Sequence, residues 1–243
     1  LMECAAQITG GYFADPGVKE VTDLARVGFP LAQTEADGTA SITKLSETGG
    51  IVDLRTVKEQ LLYEVHDPSA YLTPDVTADF STVRITQTGP DVVRIQQASG
   101  RARPVRLKVT VAFDGGYLAE AGVSYAGDGA QARAELAGQI VDERMRHVHG
   151  TNAPVRTDII GAASLHASAR QYAQDSRDVR LHCAMRGSSE EDAQTLLWEV
   201  ESLLCCGPAG GGGYRGVVTP SVITYSAFID RDKAPPSVEV MTA

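Results

Sequence analysis

The chain has no apolar run approaching the roughly 20 residues that cross a bilayer. Its opening, LMECAA, has no basic region ahead of an apolar one, so neither a membrane span nor a signal peptide is expected. Concentrated positive charge is missing too. The net charge is -9 and the pI near 5.0. The densest basic stretch holds only Arg101, Arg103, Arg106 and Lys108, which read as a solvated strand face, so nucleic acid is excluded as a partner. Cysteine is scarce. Cys4, Cys183, Cys205 and Cys206 show no CxxC spacing, and the vicinal pair is awkward to bridge. That usage fits a reducing cytoplasm, with Cys183 as a small core residue. No HxxxH exists, and His147 and His149 are only a close pair at an expected helix end, so no metal site is expected.

Phosphate-loop chemistry is also missing, although CCGPAGGGGYR (205–215) invites the question. A phosphate loop runs from strand through glycine turn to helix N-terminus. Here the glycines follow a helix and meet its negative end, and no Lys precedes a Ser or Thr. No nicotinamide, ATP or other cofactor is identified. Gly207 and Pro208 read as a left-handed helix stop. Four consecutive glycines imply tight backbone packing or close approach to a ligand, with Arg215 as an available charge.

What is present is ordinary for a globular protein: 43% of the residues are hydrophobic and 22% charged, enough for a substantial core in 243 residues. Val105, Leu107, Val109, Val111 and Phe113 alternate with polar residues, so a half-buried strand is expected over Val105–Phe113. Asp114-Gly115-Gly116 reads as a hairpin turn into a second strand, 117–125. With 82–87 and 91–97 around Thr88-Gly89-Pro90, these make an expected meander of four short strands. A helix is expected over 129–146, with Leu136, Ile140, Val141 and Met145 inward, then strands over 155–165 and 179–186. The second helix, 190–204, is capped by Ser188 and Glu191 and buries Ala193, Leu196, Leu197, Val200, Leu203 and Leu204. A strand near 220–229 follows. This order predicts an α+β fold: a mixed, mostly antiparallel sheet with helices on one face and ferredoxin-like βαβ elements, preceded by a turn-rich α/β segment. The expected division is 1–80, 81–232 and a tail, 233–243.

The first eighty residues collect polar groups beside glycine turns. One helix is expected over 57–66, capped by Thr56 and Glu59, with Val57, Leu61, Leu62 and Val65 inward and Asp67-Pro68 ending it. The candidate catalytic residues are Glu3, Cys4, His66 and Asp67. Candidate substrate-binding residues are Gln7, Thr9, Gly10, Gly11, Lys44, Thr48, Gly49, Gly50, Glu59 and Arg215. The glycine amides at 10–11 and 49–50 could face a developing oxyanion. Each has a plainer reading: Cys4 as a buried inert thiol, and His66 as a favourable charge at a helix end.

The stretches ECAAQITGGYFADP (3–16), DLARVGFP (23–30), VKEQLLYEVHDPSAYLTPDV (57–76) and GPAGGGG (207–213) resemble the acyclic terpene utilisation proteins of the AtuA type. The resemblance runs to about Asp232. Family members are longer at the N-terminus, so it implies that this chain is roughly the second half of the family domain, which agrees with a start at Leu1. It implies a place in bacterial breakdown of citronellol- and geraniol-type terpenoids, which passes through acyl-CoA thioesters. It implies a pathway and not a mechanism, and transfers no catalytic residues. Two functions are open. One is an enzyme of hydratase, lyase or thioester hydrolase type acting on a branched terpenoid acyl-CoA. The other is a non-catalytic binding or accessory subunit, and homo-oligomers are compatible with either.

Overall fold

The computed structural model describes residues 5–166, 176–235, 237 and 239–241. Residues Leu1–Lys108 and Phe228–Ala243 group as one unit, and Val109–Ala227 as another. In the first unit, strands β1 (Leu31–Thr34), β2 (Ala40–Thr43), β5 (Arg84–Gly89) and β6 (Val92–Gln96) form a sheet in the order β1-β2-β6-β5. Strands β3 (Tyr71–Leu72), β4 (Thr77–Asp79) and β7 (Ser99–Arg101) form a smaller one. The β5–β6 hairpin turns where Thr88-Gly89-Pro90 predicts. Helix α1 spans Leu54–Leu62. Its capping box uses Asp53 and Thr56 in place of the expected Thr56 and Glu59, so the helix starts and stops earlier than periodicity suggests. Ile42, Val52, Val57 and Val93 make this unit's small core. Arg231 donates to the carbonyls of Pro74 and Pro104, fastening the returning C-terminal segment.

The second unit carries the larger core. The order is β8 (Arg106–Ala126), α2 (Ala130–His147), β9 (Arg156–Ile160), β10 (Asp178–Gly187), α3 (Glu190–Cys206) and β11 (Gly212–Asp230), with only the far ends of β8 and β11 belonging to the first unit. Its sheet order, β11-β8-β10-β9, gives the ferredoxin-like arrangement that the sequence predicts, and β10 runs antiparallel to both neighbours. Val179, Leu181, Cys183 and Met185 point from β10 into the core. Burial pushes the Cys183 thiol up to about 12, so it is an inert core residue.

Helix α2 buries mostly small side chains, Ala130, Ala134, Ala137 and Gly138, before Val141 and Met145. A Cβ at Gly138 would sit 2.7 Å from Thr157 Cγ2, so only glycine lets α2 lie this close to β9. Leu136, expected inside, is exposed. Helix α3 is capped one residue later than predicted: Ser189 accepts from Asp192 N, and the Asp192 carboxylate accepts from Ser189 N. Ala193, Leu196, Val200 and Leu203 form its buried stripe, while Leu204 lies outside.

Three further expectations are corrected. Asp114-Gly115-Gly116 makes no hairpin, and β8 continues through it as one strand. Gly115 is needed because a Cβ there would meet Ile223 and the Ser221 carbonyl oxygen, and Gly116 takes a positive φ of 71°. The four-strand meander therefore does not form, since β7 joins β4 and β8 joins another sheet. Second, the apolar side of 105–113 is only partly buried: Leu107 and Val109 are half-buried, while Val105, Val111 and Phe113 are exposed. Third, Gly207 is extended and not left-handed, and positive φ falls at Gly210 and Gly213. The strand expected at 155–165 ends at Ile160, and the one expected at 220–229 starts at Gly212, so two of the four glycines belong to β11.

Adjacent leucines give a test of the α3 stripe. Leu203→Ala should cost about 2–4 kcal/mol in denaturant unfolding, and Leu204→Ala under about 1 kcal/mol.

Candidate functional site

The polar groups at the start of the chain fold in on themselves. Ala5–Gly11 is a succession of tight turns. Thr9 is fully buried, and its hydroxyl lies 2.9 Å from Ala6 O and 2.5 Å from Gly28 O. Lys44, with a side chain 7% exposed, donates to Thr48 O at 2.8 Å and pairs with Asp91 at 3.7 Å. Asp91 in turn accepts from Val52 N. Thr48 bonds to Leu45 O. Gln7, Thr9, Gly10, Gly11, Lys44, Thr48, Gly49 and Gly50 are thus linked through three neighbouring turns.

Their amides are already committed. Gly10 N donates to Gln7 O, Gly11 N to Ala6 O, Gly49 N to Arg26 O and Gly50 N to Thr22 O. These four N–H groups do not form an oxyanion hole, because backbone carbonyls occupy them. A Cβ at Gly49 would collide with Asp23 O, and Gly50 has a φ of 91° beside Thr9 O. The glycines serve backbone approach. Gln7 Oε1 is buried without a hydrogen-bond partner among the described residues.

The remaining candidates scatter. Glu59 pairs with Lys19 at 3.8 Å, and Lys19 lies over the Phe13 ring. His66 and Asp67 are exposed and lie beyond the end of α1. The Asp67 carboxylate accepts from the Ser69 hydroxyl and amide, which hold its carboxyl below the usual range. Arg215 belongs to the second unit, on β11, and donates to Tyr214 O. Glu3 and Cys4 lie outside the described residues.

Sequence reasoning missed a different cluster, within the second unit. Glu199 on α3 is 1% exposed. Arg144 on α2 grips its carboxylate with two bonds, 2.5 Å from Nε and 3.0 Å from Nη2. His149, just past the end of α2, places Nε2 2.6 Å from Glu199 Oε1. Burial pushes the Glu199 carboxyl up, but hydrogen bonds from Arg144 and then His149 outweigh it and leave the group below the ordinary glutamate range. The Arg144 guanidinium is correspondingly raised by its hydrogen bond to Glu199. The Nε2 contact fixes the imidazole ring and leaves Nδ1 as its second nitrogen. The signal was available: position 199 falls between Leu196, Val200 and Leu203 on the apolar face of α3, where a carboxylate stays only if it is paired.

His149 stands where clefts meet. One, of about 360 Å³, is lined by Leu197, Trp198, Tyr214, Glu191 and Glu201 as well as His149. A second, of about 500 Å³, adds Thr151, Arg186 and Ser188. A third, of about 530 Å³, shares Gly150–Ala153 with the second and contains Arg146 and His147. Among the described residues no group of three His, Cys, Asp or Glu could hold a metal ion, and no helix is long and apolar enough to cross a membrane.

Two tests follow. Gly49→Ala should cost roughly 3 kcal/mol through backbone collision, whereas Gly38→Ala, with open space around it and a φ of 83°, should cost about 1 kcal/mol; thermal melts compare them. Glu199→Gln should cost about 1–3 kcal/mol at pH 7. The folded Glu199 carboxyl lies below its unfolded value, so its stabilisation is complete above about pH 4.3 and is lost as pH falls through the folded value. The gap between wild type and Glu199→Gln in urea unfolding should therefore shrink on acidification below that pH.

No curated protein and no solved structure matches the chain. A family model described as "Acyclic terpene utilisation family protein AtuA" matches residues 1–240. The chain therefore belongs to the acyclic terpene utilisation family AtuA, and its role lies in the use of acyclic terpenes.

Proposed function

We propose that the protein carries out a general acid/base step, of hydratase or lyase type, on a branched acyl-CoA intermediate of acyclic terpenoid breakdown. The proton-transferring group is His149. The observation that carries this reading is the imidazole held by a buried carboxylate at the meeting of clefts. A carboxylate that fixes one ring nitrogen orients the other and stabilises the imidazolium formed on proton transfer. In a hydration, the imidazole takes a proton from water as the water oxygen bonds to the β-carbon of the unsaturated thioester. It then returns that proton to the α-carbon.

The surroundings support the assignment. Leu197, Trp198 and Tyr214 offer an apolar wall on one side of His149, suited to a branched hydrocarbon chain. Arg186, Arg146 and His147 line the clefts on the other side, where a phosphate-bearing carrier could extend. Asp142 partners Arg146 there and would have to share it.

With a branched, unsaturated terpenoid acyl-CoA as substrate, the wild-type protein should turn over. His149→Gln should lower kcat by about 10²–10⁴-fold with folding retained. Glu199→Gln should give a smaller loss and a shifted pH profile. Turnover by His149→Gln at the wild-type rate would overturn the assignment.

A second reading is a non-catalytic accessory subunit. The inward-turned polar groups of the first unit favour it, since the amides and the lysine that could meet a ligand are occupied by the chain itself. No thioester turnover, together with co-purification of a carboxylase or dehydrogenase subunit from the host, would decide for it.

A further inference from the structure

The two edges of the second unit's sheet are not alike. The β9 edge has five residues and carries Arg156 and Asp158, which pair with each other. Short, charged edges resist pairing with other chains. The opposite edge is β11, whose only strand neighbour among the described residues is β8. At 19 residues it is about 60 Å long. Between Val222 and Ile229 it has neither charge nor proline, in the run VITYSAFI. Pro220 is the single interruption nearby. An uncharged, β-branched and aromatic run of eight residues on an exposed edge is a template for strand addition unless something covers it.

Its surroundings sharpen the point. Strand β10 pairs with β8 only from Ala126 to Tyr117. Beyond Tyr117, β8 and β11 continue as a two-stranded ribbon, held by the Phe113–Tyr225 edge-to-face contact at 5.6 Å. A two-stranded ribbon in water is marginally stable by itself. This one shows Phe113 at 52%, Val222 at 67% and Tyr225 at 61% exposure, with Val111 and Val217 also exposed.

We infer that two copies of this chain join edge to edge along β11, antiparallel, to form one continuous eight-stranded sheet. A second copy is the occupant that the edge itself specifies. Antiparallel self-pairing is generated by a two-fold axis perpendicular to the sheet, so like faces stay together and the exposed ribbon patches of both copies merge. The uncharged Val222–Ile229 run meets itself without like-charge opposition. Closure follows as well. Each β11 edge is consumed by the other, and the edges left outside are the short, charged β9 strands, so assembly stops at two. Backbone hydrogen bonds along the run form the seam, and the exposed Val222 and Tyr225 side chains meet those of the second copy beside it.

The test is sedimentation of the intact chain from about 1 to 100 μM. The expected species has twice the 25.8 kDa chain mass. Val222→Lys combined with Tyr225→Lys should dissociate at least about tenfold more readily, since like charges then face each other across the two-fold axis. Trp198→Lys, an equally exposed change on α3, should leave the dimer intact. Hydrogen exchange on the wild type gives a readout that needs no variant: amides of Val222–Ile229 should gain protection as concentration rises through the dimer range. A wild-type monomer throughout, a dimer unaffected by the double lysine variant, or a dimer broken by Trp198→Lys would each overturn the inference.

Discussion

A carboxylate withdrawn from water must be held, and the way Glu199 is held shapes the second unit. Two bonds from Arg144 and one from His149 compensate its burial. In doing so they fix the end of α2 to the middle of α3 and set the course of the chain from His149 to Ala153, which lines the adjoining clefts. An unpaired glutamate there would cost several kcal/mol or take up a proton. The same bonds that meet a folding requirement also orient an imidazole, so the structural and chemical roles of Glu199 share one geometry.

Much of the frame was legible because it rests on local periodicity. The alternation in β10 and the helical spacing of Val141, Met145, Leu196, Val200 and Leu203 each point to one buried face. The failures occur where distant contacts decide. Asp114-Gly115-Gly116 has turn composition, but its glycines answer to Ile223 and Ser221 on another strand. Two adjacent serines precede α3, and the choice of Ser189 over Ser188 depends on backbone geometry that sequence spacing does not encode.

The candidate site was less legible, for a related reason. Clusters of Thr, Lys and Gly at 9–11 and 43–50 look like a ligand cradle because the same residue types satisfy tight turns. There the polar atoms mostly complete the chain's own hydrogen bonds, with Thr9 and Lys44 capping carbonyls and the glycines permitting backbone contact. His149 has no motif around it. Its partner stands fifty positions away and is reached only when two helices pack. The one local trace was a glutamate on an apolar stripe.

The methyl-sized inner face of α2 has a geometric consequence. Because Ala130, Ala134, Ala137 and Gly138 fill almost no space, the axis of this helix is set by near-contact with the strands beneath it. The helix works as a calliper whose jaw is the segment after Val148, clasped in turn by His149 on Glu199. An added methylene deep in that interface would push the helix off the strands and strain the clasp, so the openings around the imidazole answer also to small residues that do not line them.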